Sequence, residues 1–530
     1  MPVSTPRRRR LRSAAVALTT VLALGAAACG SSGSSGGGGG ATTSASPTRG
    51  GDLVIARTAD SQSMNKTTVF QNESIWVFEQ IYENLYTVTP DGKDVKPLLA
   101  TSYTVSPDKL SYTFKLRQGV TFSTGKPLTA ADVKFSIDAA SAAKQGWGYI
   151  NAAIKDTKAP ATDTFVVDLK YPWAPLLADL SLFSNGIVPA NYGGEKEAAF
   201  YEHPVGTGPF KWGTWQKGKS LKLVRNDTYW QKGKPYLNSV TWTDVGDSNT
   251  RNLQLKGGQA DIDEFPAWST VAQLKATPDV RLDLFPSTRT DYLAFNHTRK
   301  PFGDPHVRRA ISYALDQEAL NKAVLFGNGT TANSFLAPTT PYYAKDTKAL
   351  SFDLAAAKKE MAASTVPSGF ATSILVPSGE ADSLTLAQIV QAALKPLGVT
   401  VTVSQLDANV VNTRQQALDY DMTFTAWTMD ISDPDELTTF AVDPKAGSKS
   451  FFTGYDNPAV VTANTAAAKT LDTATRQQLY TRIQSLAADD AFIAPLYYSP
   501  YAYGSSTKVH GFAVTPLGNY HLEDVWKTGN

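Results

Sequence analysis

Residues 111–136 read SYTFKLRQGVTFSTGKPLTAADVKFS, and this stretch holds both secondary-structure periods. From Ser111 to Leu116 the apolar Tyr112, Phe114 and Leu116 alternate with polar neighbours, the period-two signature of a half-buried strand. At Thr129 the pattern changes: a residue suited to an N-cap precedes Ala130-Ala131-Asp132-Val133, which opens a helix. The same two patterns recur outward in both directions. Thr164 to Leu169 alternates again, and Asp52-Leu53-Val54-Ile55-Ala56 reads as a first strand. Ser74 to Leu85 carries helix-spaced Ile75, Phe78, Ile81, Tyr82 and Leu85. Val307 to Val324, Leu384 to Leu394 and Arg476 to Ala488 are further helices; Pro396-Leu397-Gly398 stops the second before a β-branched strand, Val399 to Val403. Between Asp421 and Trp427, Met422, Phe424 and Ala426 alternate with threonines, a strand running into a loop. Interleaved strands and helices predict an α/β fold, and the lack of a short-period repeat argues against a solenoid or propeller.

The chain has 530 residues, room for two or three core-bearing lobes. At 42% hydrophobic, 18% charged and 10% aromatic it is globular, neither disordered nor a polytopic membrane protein. The formal charge of +2 misleads, because Arg7, Arg8, Arg9, Arg10 and Arg12 all precede Cys29 and no acidic residue does. Counted from Cys29, Lys+Arg falls from 50 to 45 against 48 Asp+Glu, a net charge of −3. No basic excess survives to serve a nucleic-acid partner.

The first 28 residues give an address. An Arg-rich start, a largely apolar 15-residue run from Ala14 to Ala28, and then Cys29 form an export signal. The run is shorter than the roughly 20 residues that span a bilayer. Ala26-Ala27-Ala28-Cys29 resembles a lipobox, and Cys29 is the only cysteine, which excludes an intramolecular disulfide and leaves lipidation as its role. Residues 29–50, rich in Gly and Ser, read as a tether; about 20 such residues have an end-to-end distance of roughly 25 Å.

Further motifs carry a family resemblance. Tyr112 to Phe122, Pro127 to Ser136, PVGTGPF at Pro204 to Phe210, NDTYW at Asn226 to Trp230, and Val307-Arg308-Arg309-Ala310-Ile311 followed by Ala314-Leu315-Asp316 occur in order. In these the chain, from about Gly51 to its end, resembles the extracytoplasmic solute-binding proteins of ABC importers, family 5, the peptide, nickel and oligosaccharide group. The resemblance implies a two-lobed type II periplasmic-binding fold with a hinged ligand cleft. On that pattern residues 51–287 form the first lobe with an extra subdomain at about 86–203, residues 288–493 the second lobe, and residues 494–530 a return to the first. It also implies a monomer that binds a solute or peptide, an ABC permease with ATPase subunits as partners, lipid anchorage outside the membrane, no cofactor and no catalysis.

Taken alone, Pro204 to Phe210 reads as a turn rather than a phosphate cradle, since the P-loop lysine is missing, and Arg308 and Arg309 read as solvated or paired with carboxylates.

The resemblance also names candidate ligand contacts. In peptide-binding relatives the carboxylate three residues after the tryptophan of such a strand receives the peptide's ammonium; here these are Asp430 and Trp427. The competing reading makes Asp430 a turn or helix cap and Trp427 core. By the same carry-over Phe70, Gln71 and Asn72 face the ligand from the first lobe, and Tyr497 lies near the return. Dipeptide-binding relatives clamp the ligand carboxylate with an arginine between the positions matching Ile374 and Gln388. This chain has no Lys or Arg from 360 to 394 and offers Glu380 and Asp382 instead, which favours a longer peptide or a neutral or cationic ligand.

Other chemistries have thinner support. His203, His297, His306, His510 and His521 lack metal-ligand spacing, so no metal site is expected. Ser106 and Ser141 each open an SxxK motif and Lys527-Thr528-Gly529 fits KTG, which keeps a serine acyl-enzyme as a remote alternative. An oligosaccharide receptor, with Trp427 stacking on a sugar, is the nearer one.

Overall fold

A computed structural model describes residues 46–529. The signal, the lipidation candidate Cys29 and the tether up to residue 45 lie outside them.

Two sheets carry the two lobes. The first has seven strands in the order Val280–Phe285, Tyr501–Ser506, Ile262–Glu264, Asp52–Arg57, Ser239–Asp244, Ser220–Arg225, Phe210–Gln216. Asp52–Arg57 runs parallel to both its neighbours, and the remaining pairs are antiparallel. The second has six strands in the order Thr330–Thr331, Ile493–Tyr498, Thr290–Phe295, Met422–Trp427, Ala371–Pro377, Thr400–Leu406. Its central strand shows why both faces are covered: Leu293 and Phe295 enter one apolar cluster, while Tyr292 and Ala294, pointing oppositely, enter another. A third, antiparallel sheet of Ala100–Val105, Ser111–Leu116, Thr164–Leu169 and Ile154–Ala161 has its own core around Phe114, Phe165 and Val133.

The chain passes between the lobes twice. Residues 286–289 lead from Phe285 to Thr290, and Ser499 and Pro500 lead back from Tyr498 to Tyr501. The two passages are bonded together, Ser287 Oγ donating to the Ser499 carbonyl. The return expected at residue 494 is therefore drawn too early: Ile493–Tyr498 is a strand of the second sheet, paired to Thr290–Phe295.

Local chemistry sets the boundaries. Thr129 forms the capping box with Asp132 for the helix Ala130–Ala142. The expected helix 307–324 is two, Pro305–Ala314 and Gln317–Val324, because Asp316 accepts from the Ala319 N–H and restarts it. Within it Arg308 departs from the solvated reading; it is buried and donates to the carbonyls of Phe302, Asp490 and Ala491. The Pro204 to Phe210 segment needs its glycines for close approach rather than for positive φ. A Cβ on Gly206 would lie 2.0 Å from the Ile81 carbonyl oxygen, and one on Gly208 2.6 Å from that of Gln80.

Candidate ligand cleft

The strand Met422–Trp427 ends at the junction of the lobes, and residues 428–434 run on as a wedge between them. Met429 N–H donates to Thr288 Oγ1 on the first passage at 3.0 Å. Ile431 is fully buried within the first-lobe core cluster. Asp433 is held by a bidentate bond to Arg476 of the helix Thr473–Asp489, 2.8 Å for each N–H donor, both side chains being under one-tenth exposed. This loop is thus fixed at three points, and Asp430 lies between them.

Asp430 is not a cap; the helix Asp435–Val442 starts five residues later behind Pro434. The Asp430 N–H donates to Glu436 Oε2 at 3.3 Å, and Tyr149 Oη, from the other side of the cleft, donates to Glu436 Oε1 at 2.8 Å. Burial pushes the Asp430 carboxyl well above the ordinary carboxylate range, and the negative charges of Glu436 and of Glu79 push it further. Burial likewise raises Glu436 to about 7 and Glu79 to about 8. Asp430 and Glu436 thus meet at the junction, the charge of Glu79 acts on Asp430 from the first lobe, and all three carboxyls hold a proton more tightly than an ordinary acid.

Aromatic rings form a row across the same junction. Phe70, 56% exposed, lies 4.7 Å from Trp147, Trp147 5.9 Å from Tyr149, Tyr149 5.3 Å from Phe440, and Phe440 5.5 Å from Trp427. Trp427 is half-buried and stacked on Phe451 at 4.7 Å.

Of the residues singled out from sequence, Trp427, Asp430 and Phe70 join this arrangement. Gln71 is spent locally, its Nε2 donating to the Asp60 carbonyl and its Oε1 accepting from Ser74 Oγ. Asn72 is exposed at the start of the helix Asn72–Phe78. Tyr497 is buried in the second-lobe core, and Tyr501, in the first-lobe core, is the tyrosine on whose hydroxyl the charges of Arg289 and Asp430 act.

Glu79, Tyr149, Arg289 and Glu436 escape the sequence reading. One signal existed for Glu79: it is the C-cap of its helix, the end where an acid opposes the helix dipole. Glu436 hides as an ordinary first-turn acid. Arg289 lies on the first passage, 44% exposed although forked onto Asp291 through Nε and Nη2, with Nη1 making no hydrogen bond among the described residues. Its charge and that of Asp382 both reach the Tyr497 hydroxyl.

The serines of the SxxK motifs are engaged locally, Ser106 Oγ with Asp108 and Ser141 Oγ with the Ile137 carbonyl, and Lys527 is tied to Asp261 at 2.9 Å. No helix among the described residues is long and apolar enough to cross a membrane.

The profile of the bacterial extracellular solute-binding proteins, family 5, matches residues 94–449. The chain belongs to this family. It is 30% identical over 491 residues to the glutathione-binding protein GsiB of Escherichia coli K12, covering 89% of this chain and 94% of that protein. Among solved structures it is similar to the periplasmic binding protein DppA of Helicobacter pylori in complex with the peptide STSA (29% identity, TM-score 0.80, 91% of this chain and 98% of that one). It is also similar to the ABC transporter substrate-binding protein CtaP of Listeria monocytogenes (26% identity, TM-score 0.82, 91% and 100%). Family 5 members are extracytoplasmic binding proteins of ABC importers, so the chain is a substrate-binding protein with the two-lobed fold of that group.

Proposed function

We propose that this solute-binding protein captures an oligopeptide by its free ammonium group, closes around it, and delivers it unchanged to an ABC permease while tethered to the membrane through Cys29. The carrying observation is the pair Asp430 and Glu436 at the lobe junction, reached from the first lobe by Tyr149, with the charge of Glu79 acting on Asp430. Carboxyls that burial and mutual repulsion keep protonated are unstable company for one another and good company for a cation, which lets them ionise and makes charge-assisted hydrogen bonds. A neutral sugar brings no charge that would let these carboxyls ionise, so the aromatic row alone does not favour the oligosaccharide alternative. Arg289, with its free Nη1, supports binding of the ligand carboxylate, so short peptides with a free C-terminus are admitted after all. The relatives are named for glutathione and bound to a peptide, both ligands that carry ammonium and carboxylate groups.

Closure needs only that the ligand binds the shut form more tightly than the open one. The sole cysteine after an apolar leader supports the lipid anchor. The test is calorimetric titration of the purified protein with a tetrapeptide and its N-acetylated form. The free peptide binds and the acetylated one loses at least about tenfold in affinity, the size expected for a charge-assisted hydrogen bond; equal affinities reject the ammonium reading.

A further inference from the structure

Tyr149 is not the only bridge between the two sides of the cleft. The helix Pro458–Lys469 of the second lobe ends, like any helix, in carbonyls that no N–H of its own can reach. Arg476 Nε, from within the same lobe, donates to that of Ala467 at 3.0 Å. The next one, Ala468, accepts from the Ala174 N–H at 2.8 Å, and Ala174 belongs to the opposite body. Beside that bond the Lys469 ammonium stands over the ring of Tyr171, 4.8 Å from its centroid.

Both ends of this bridge are firmly mounted. Tyr171 and Trp173 pack on the core of the third sheet, and Trp173 Nε1 donates to the buried Asp179 at 2.6 Å, which fixes the arm 171–174. On the facing side the buried Asn464 accepts from Thr438 Oγ1 at 2.6 Å and donates to Thr439 Oγ1 at 2.8 Å. Asn464 thereby joins the helix Pro458–Lys469 to the helix Asp435–Val442, which carries the two partners of Tyr149, Glu436 and Phe440. The two bridges are thus coupled through one side chain. The amide, carbonyl, cation and ring of the second bridge each find their partner in the protein itself.

We propose that Tyr171, Ala174 and Lys469 form a latch, made when the lobes shut and broken when they part, which sets the affinity for every ligand alike without touching any. They are positioning residues. In the open form water takes the place of each partner, so the latch adds its free energy to the shut form alone. Apparent affinity scales with the fraction of the protein in the form that holds the guest, whatever the chemistry of that guest. The proposal rests on lobe closure in the reading above and not on the ammonium contact.

The test is Lys469→Ala in the full chain, a change at an exposed side chain that spares both cores. Amide hydrogen exchange of the segment 170–176, followed by mass spectrometry with no peptide added, speeds up about two- to fivefold, the weight of an exposed cation–π contact. Exchange in the strand Ser111–Leu116 stays as it was. Lys469→Arg, whose guanidinium also faces a ring, restores the wild-type rate. Calorimetric titration with trialanine and with trileucine finds both weakened by one common factor in the same range. Unchanged exchange at 170–176 in Lys469→Ala, or losses that differ between the two peptides by more than twofold, overturns the latch. Equal binding of the free and N-acetylated tetrapeptides rejects the ammonium reading and leaves the exchange result standing, so the two failures are distinguishable.

Discussion

Asp430→Asn keeps the shape of the side chain and removes its charge. Deleting one partner of a desolvated ion pair costs about 3–5 kcal/mol. Here Glu436 and Glu79 stay behind and retain part of the attraction, which brings the expected loss to roughly 2–3 kcal/mol, or about 30- to 150-fold in Kd. The same geometry fixes the proton balance. In the empty cleft Glu436 is raised to about 7, Glu79 to about 8, and Asp430 higher than an ordinary acid, so protons are held near neutrality. A bound ammonium stabilises the ionised forms and expels protons, so affinity rises with pH from 6 towards 8, where the ligand's own ammonium, with a pKa of about 8, starts to deprotonate. Calorimetry in buffers of different ionisation enthalpy reads both effects at once. A Kd for Asp430→Asn within threefold of the wild type, or net proton uptake on binding, refutes the reasoning.

Arg289→Met should weaken peptides with a free C-terminus about tenfold or more and leave their C-terminal amides nearly unchanged, as the lost partner is a guanidinium aimed at a carboxylate; titration with each pair checks it. Arg476→Met strands the buried Asp433 and should cost about 3–5 kcal/mol in urea unfolding, much of it regained on adding Asp433→Leu. Gly206→Ala should destabilise strongly or prevent folding, because its Cβ meets a backbone carbonyl at 2.0 Å; the urea midpoint reports it. The ligand-free protein should melt several degrees higher at pH 5.5 than at pH 8. Burial raises Glu83 and Glu264 to about 7 and Asp435 to about 8, joining Glu79 and Glu436. The native state therefore keeps protons that the unfolded chain has released by about pH 4.5, and stability falls as pH rises through the native values. His297, held down to about 3, and Lys66, lowered to about 7, pull the other way but are outnumbered.

The elements that sequence reading recovers are those set by local chemistry: the alternating strands Ser111–Leu116 and Thr164–Leu169, the capped helix at Thr129, and the strand ending at Trp427. The single helix expected from 307 is two, because the apolar face continues past Asp316 while the capping bond there outweighs the periodicity. The helix expected to reach Leu85 stops at Phe78, and the buried Gln80 and Glu83 that follow are bonded to distant segments, Gln80 to the Tyr520 carbonyl and Glu83 to Tyr229. The cleft shows the same divide. Asp430 and Trp427 share one segment and could be carried over from a motif. Glu79, Tyr149, Arg289 and Glu436 meet only through the two passages between lobes, separations of up to hundreds of residues that no local pattern records.

The row of rings from Phe70 to Trp427 has a practical outcome. Parting the lobes must pull Tyr149 away from Phe440 and from Glu436, and so change the surroundings of indoles on either side, at Trp147 and Trp427. Ultraviolet emission of the untagged molecule thereby becomes a built-in optical gauge of its opening and shutting, with no dye or label attached.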